Sequence, residues 1–137
     1  MSADPHQFLK RWHRIVAERD LEGLGEIVAP DISMGAPPYW ERLTGKDLVI
    51  HLLGIIIHTI DDFTYHREWV DGSEFALEFR GHVKDMELQG IDLISVDSRG
   101  LVRRLDVMIR PLNSLERLRD IVAPKMAEYL ASLKNSG

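Results

Sequence analysis

The sequence contains no cysteine, which excludes a disulfide framework, a thiolate metal site and a cysteine nucleophile. It has no surplus of positive charge: 17 Lys and Arg stand against 22 Asp and Glu, a net charge of −5. No basic run appears either, so the positive stripe that a nucleic-acid partner requires is missing. The most apolar run, Leu48–Ile60, is too short to span a bilayer and is interrupted by His51 and His58. The opening MSADPHQF lacks the apolar core of a signal peptide. A cytoplasmic protein with no membrane or nucleic-acid partner is therefore expected. There is no Gly-rich phosphate cradle, and no helix carries two histidines at i,i+4; His51 and His58 are seven apart. Neither a metal nor another cofactor is expected.

What is present fits one folded unit. The 137 residues carry no internal repeat, low-complexity tract or linker, which predicts a single domain over 1–137. Asp4-Pro5-His6-Gln7 resembles a capping box with Pro at the first helical position, and Phe8, Leu9, Trp12, Ile15 and Val16 follow at helical spacing. A second short helix is expected to start near Asp20 and stop by Pro30. A brief strand at Ile32–Gly35 and an irregular loop, Ala36-Pro37-Pro38-Tyr39-Trp40, come next. Thr44, with Asp47 three residues on, is expected to open a third helix running to about Ile60.

From Phe63 the apolar period changes to two. Strands are predicted at about 63–70, 74–83, 86–96 and 101–110, with turns at Asp71-Gly72, Lys84-Asp85 and Ser98-Arg99-Gly100. Asn113 with Glu116 is expected to cap a C-terminal helical segment at about 113–134, which Pro124 should kink or split. Helices followed by a meander predict an α+β protein with helices packed on one face of a curved antiparallel sheet.

Register decides which side chains meet. If Asp71-Gly72 is a two-residue turn, His66 faces Leu77; if Lys84-Asp85 is another, Leu77 faces Asp92. His66 and Asp92 would then flank a slot roughly 10 Å wide on the helix-covered face. Phe75, Leu77, Phe79, Ile94 and Val96 share that face, with Leu105, Val107 and Ile109 from the last strand unless a bulge at Gly100 flips it. Tyr65, Trp69, Ile91, Leu93 and Met108 are assigned to the other face, beside Arg67, Glu78 and Arg80. An apolar patch of that kind suits a twofold homodimer.

Asp20-Leu21-Glu22-Gly23, the run Gly90-Ile91-Asp92 to Asp97-Ser98-Arg99-Gly100-Leu101-Val102, and Val107-Met108-Ile109-Arg110-Pro111-Leu112 together resemble the nuclear-transport-factor-2-like superfamily. Its members include ketosteroid isomerases, SnoaL-type polyketide cyclases, limonene-epoxide hydrolases and scytalone dehydratases. The resemblance extends to about Leu118 and implies a cone-shaped α+β barrel with an apolar pocket. Ile91-Asp92 corresponds to the isomerases' Ile-Asp pair, whose aspartic acid serves the oxyanion hole. The oxyanion tyrosine falls on Trp12 and the catalytic base on Ala36, ahead of Pro37. The hydrolases' last-strand aspartate falls on Val107. Dehydratases pair a histidine with a carboxylate, for which His66 and Asp92 are the nearest match.

Two functions follow as expectations. One is a cofactor-independent isomerase, dehydratase or cyclase acting on an apolar carbonyl or hydroxyl compound, with Asp92 as acid and His66 as base. Trp12, Phe75, Leu77, Phe79 and Val107 would line its pocket, with Tyr39 and Trp40 as a lid or mouth, or alternatively part of an interface. The other is a non-catalytic ligand-binding or dimerising module of the same fold.

Overall fold

A computed structural model describes residues 4–135. Helix α1 (Pro5–Glu18) opens at Asp4, whose carboxylate accepts the His6 N–H at 3.0 Å, and Pro5 occupies a position that needs no amide donor. Phe8, Leu9, Trp12 and Ile15 form its buried stripe. Arg19, in the left-handed region at φ 54°, ends it. The chain then turns directly into α2 (Leu21–Glu26), capped by Asp20 through the Gly23 N–H at 2.9 Å.

Strand β1 (Val28–Gly35) begins four residues earlier than expected. Its register shifts between Val28 and Ser33, and this irregularity holds Pro30, which has no N–H to give to a ladder. β1 also pairs in parallel with the last strand, a correction to a wholly antiparallel sheet. Thr44 lies in the two-residue strand β2 (Leu43–Thr44), and Gly45 rather than Thr44 precedes α3 (Lys46–Thr59). Gly45 sits at φ 106°, where a side chain would be strained, so the position suits glycine better than a capping threonine.

The meander follows as β3 (Asp61–Asp71), β4 (Glu74–Val83), β5 (Met86–Val96) and β6 (Val102–Arg110), giving sheet order β2-β1-β6-β5-β4-β3. Lys84-Asp85 forms the two-residue turn expected, with Val83 opposite Met86 and Leu77 opposite Asp92. β6 keeps the expected faces: Leu105 and Val107 are buried, whereas Met108 is exposed.

Helix α4 (Leu112–Asn135) starts one residue before Asn113 and runs unbroken through Pro124. Pro124 and Asp120 are both exposed, so the Asp120 carbonyl that loses its partner is open to water and the helix need not split there. Helices and sheet share one apolar core, from Phe8 and Trp12 through Leu77 and Phe79 to Leu118 and Val122. Among the described residues no helix is long and apolar enough to cross a membrane.

Candidate functional site

Asp92 stands in the middle of β5, between Leu77 on β4 and Val107 on β6. Pairing with two fully hydrogen-bonded neighbours directs it to the helix-covered face, where it is only 7% exposed. The Tyr65 hydroxyl donates to Asp92 Oδ2 at 2.6 Å, and the Trp12 indole N–H donates to the same hydroxyl at 2.9 Å. One helix and two non-adjacent strands thus converge on a single carboxyl group.

Tyr65 reaches this point because of an irregularity in β3. The β3–β4 loop is Gly72-Ser73, with Asp71 opposite Glu74, two positions from the expected register. A shift of two preserves the faces, so Glu68, not His66, stands opposite Leu77. A second shift then falls between the pairs Arg67–Glu78 and Tyr65–Phe79, leaving His66 as the extra residue. That single insertion reverses the alternation: Tyr65 and Phe63 turn inward, while His66 is exposed. The expected row His66–Leu77–Asp92 is therefore replaced by Glu68–Leu77–Asp92, and Tyr65 leaves the outer face to which alternation had assigned it.

Around Asp92 lies a cavity of about 60 Å³, closed by Trp12 and Val16 from α1, Phe63, Tyr65 and Phe79 from the sheet, and Leu53, Ile56 and Ile57 from α3. At about 10–15 Å³ for each water it holds, this is room for roughly four waters or the end of a small organic molecule. Phe79 can lean over the cavity because Gly90 opposite it has no side chain; a Cβ there would come within 2.2 Å of the Phe79 ring.

Burial dominates the electrostatics. Desolvation pushes the Asp92 carboxyl up to about 7, against the opposing hydrogen bond from Tyr65. Desolvation, reinforced by the neighbouring Asp92, raises the Tyr65 phenol well above its ordinary range, so it remains a donor. Tyr65 engages only Oδ2. Among the described residues no protein donor reaches Oδ1, yet no fully buried side-chain oxygen is left without a partner. Oδ1 is therefore open to the cavity. In its neutral form the carboxyl can present a proton there to an acceptor oxygen.

Of the residues expected to line a pocket, Trp12, Phe79, Val107 and Asp92 border this cavity. Leu77 is fully buried and does not border it, nor does Phe75, which packs on the Phe8 ring at 4.8 Å. Tyr39 borders a different cavity, between the 36–40 loop and α4, and Trp40 is 97% exposed. Ala36, the position of the isomerases' base, is buried at that second cavity and carries no proton acceptor. Asp20 is the other carboxylate bordering the Asp92 cavity. The Gly23 N–H, aided by Arg14, holds it below the usual carboxylate range, and both of its oxygens are engaged. No group of three His, Asp or Glu side chains that would hold a metal occurs among the described residues.

The sequence matches no family model and no curated protein. Among solved structures, a steroid delta-isomerase from Pseudomonas aeruginosa is 34% identical, with a TM-score of 0.87 over 96% of this chain and 97% of the other. The chain belongs to the nuclear-transport-factor-2-like superfamily. An uncharacterised protein from Silicibacter pomeroyi with a cystatin-like fold is 29% identical, with a TM-score of 0.88 over 95% of this chain and 92% of that one. A nuclear-transport-factor-2-like protein of unknown function from Mesorhizobium loti, 17% identical, shares the fold at a TM-score of 0.68 over 81% of this chain and all of its own. Isomerase and cyclase members of the superfamily thus stand among its structural neighbours.

Proposed function

We propose that this protein binds a small apolar molecule through a carbonyl or hydroxyl oxygen and presents the neutral Asp92 carboxyl to it as hydrogen-bond donor and acid. The observation that carries the reading is the free Oδ1, open to an apolar cavity, on a carboxyl whose Oδ2 is tied by Tyr65, a hydroxyl that Trp12 holds in turn. A donor held in place before the ligand arrives, in apolar surroundings, is the arrangement that stabilises charge developing on a carbonyl oxygen. The similarity to a steroid delta-isomerase supports an isomerisation, and a dehydration or cyclisation of the same kind of compound would call on the same acid.

One observation favours a second reading, in which the protein binds such a molecule without transforming it. His66 is exposed, Ala36 has no acceptor, and both Asp20 oxygens are engaged. Among the described residues the Asp92 cavity is therefore lined by an acid but by no free base.

A single experiment separates the two readings. Butan-2-one is titrated by NMR and its α-protons are followed in heavy water. Binding that Asp92→Leu weakens, with α-deuteration faster than in buffer, supports the enzyme; binding without exchange supports the module. Binding that Asp92→Leu leaves unchanged contradicts both.

A further inference from the structure

A second cavity, of about 310 Å³, lies between the proline-rich loop and helices α3 and α4. It is about twice the ~150 Å³ at which an apolar cavity already holds benzene. Its deep walls are Ala36, Leu52, Leu118 and Val122, all buried, and its mouth is at Tyr39 and Leu130, both exposed. Among the described residues Arg119 is the one charged residue along it, and that side chain is paired with Asp120 at 3.1 Å. The cavity offers almost nothing for a polar ligand to bind.

The two cavities share a wall. On α3, Leu53 and Ile57 face the Asp92 cavity, Leu48 and Leu52 face the second one, and Ile56 borders both. Ile56, an aliphatic side chain with rotamers of its own, therefore lies at the boundary between them. At about 60 Å³, the Asp92 cavity takes only the end of a molecule.

From this geometry, and resting on the reading of Asp92 above, we infer that the ligand is an unbranched aliphatic compound held across both cavities. Its oxygen-bearing end lies at Asp92 and its tail passes Ile56 into the space under α4. A passage opened by a turn of Ile56 would be narrow, which favours a flexible methylene chain over fused rings. The all-carbon walls of the second cavity supply affinity in proportion to the apolar area covered. α4 is on this account part of the binding site, and the substrate class is a long-chain ketone, aldehyde or alcohol.

The test is a series of 2-alkanones, butan-2-one, octan-2-one and dodecan-2-one, titrated by NMR against the full chain and three variants. In the wild type, affinity should rise by up to roughly fourfold per added methylene across the series. Ala123→Phe, which fills the cavity under α4, should reduce dodecan-2-one to little better than butan-2-one while leaving butan-2-one binding unchanged. That unchanged binding also reports that the variant is folded. If Ala123→Phe loses both ligands, the exposed Ala127→Trp carries the same test. Asp92→Leu should weaken every ketone by a similar factor and preserve the dependence on length. Affinity that does not grow with length, or growth that both cavity-filling variants leave intact, overturns the two-cavity site while the Asp92 reading stands. Indifference of butan-2-one to Asp92→Leu removes that reading instead.

Discussion

The Tyr65 hydroxyl sits 2.6 Å from Asp92 Oδ2 although the two residues stand on strands that do not touch, with β4 between them. The contact runs diagonally across the sheet, and Trp12, donating at 2.9 Å, makes the tyrosine a bridge between α1 and β5. Removing the bridge therefore has two consequences of different kind.

Tyr65→Phe is expected to cost roughly 2–4 kcal/mol, because the Trp12 N–H and the Asp92 carboxyl both lose their partner. The hydrogen bond from Tyr65 favours the ionised carboxyl, so its loss should also raise the Asp92 pKa further. Urea denaturation checks the first consequence and carbon-13 NMR of the carboxyl checks the second. A pKa that falls would contradict the assigned role.

How much of this was legible beforehand turns on which features have a local cause. Asp92 could be placed because Lys84-Asp85 is a tight turn and the β4–β5 ladder runs from it without interruption to Leu77–Asp92. Tyr65 reads as outward-facing in the sequence because a bulge leaves little local trace. Phe63 and Tyr65 alternate with Arg67 and Trp69 as in a regular strand, and only Val70, apolar and of the opposite parity, hints at the reversal. The parallel β1–β6 pairing joins residues about seventy positions apart and has no turn to announce it. Pro124 reads as a break from composition alone, but solvent on the Asp120 side makes it tolerable.

His66→Ala should leave stability within about 0.5 kcal/mol of the wild type, as for other exposed positions. Butan-2-one binding should be unaffected. A loss of either would mean that the histidine turns inward in solution.

Gly90→Ala should destabilise by roughly 1–3 kcal/mol. Its new methyl would meet the Phe79 ring and the Met108 carbonyl oxygen, at 2.2 and 2.6 Å before any relaxation. Because Phe79 borders the Asp92 cavity, ketone binding should weaken as well. Thermal melts and the same NMR titration measure both effects, and a variant as stable as the wild type would show that Phe79 is free to move.

The outer sheet face is expected to join two copies of the chain. Trp69, Leu93 and Met108 are 50%, 36% and 55% exposed there. Beside them Glu78 lies buried: desolvation pushes its carboxyl up, but Arg67, Gln89 and Arg80 outweigh that and hold it ionised. An apolar patch set beside charges already paired within the subunit can pack against its own copy. Light scattering should give a dimer for the wild type and a monomer for Leu93→Glu with Met108→Glu. A monomeric wild type would contradict it.

The central claim is that Asp92 is a neutral acid below about pH 7, and its consequence for stability has a definite sign. Burial raises the folded pKa from 3.8 to about 7. The stability this group contributes is then fully present below pH 4 and is lost as pH climbs towards 7, by up to roughly 4 kcal/mol. Asp92→Asn, which cannot ionise, should lose this dependence and equal or exceed the wild type at pH 7. The direct measurement is a carbon-13 titration of the aspartate carboxyls, with the Asp92 resonance assigned by its absence from Asp92→Asn. A midpoint near 7 is the result this account predicts; a midpoint near 4 would contradict it.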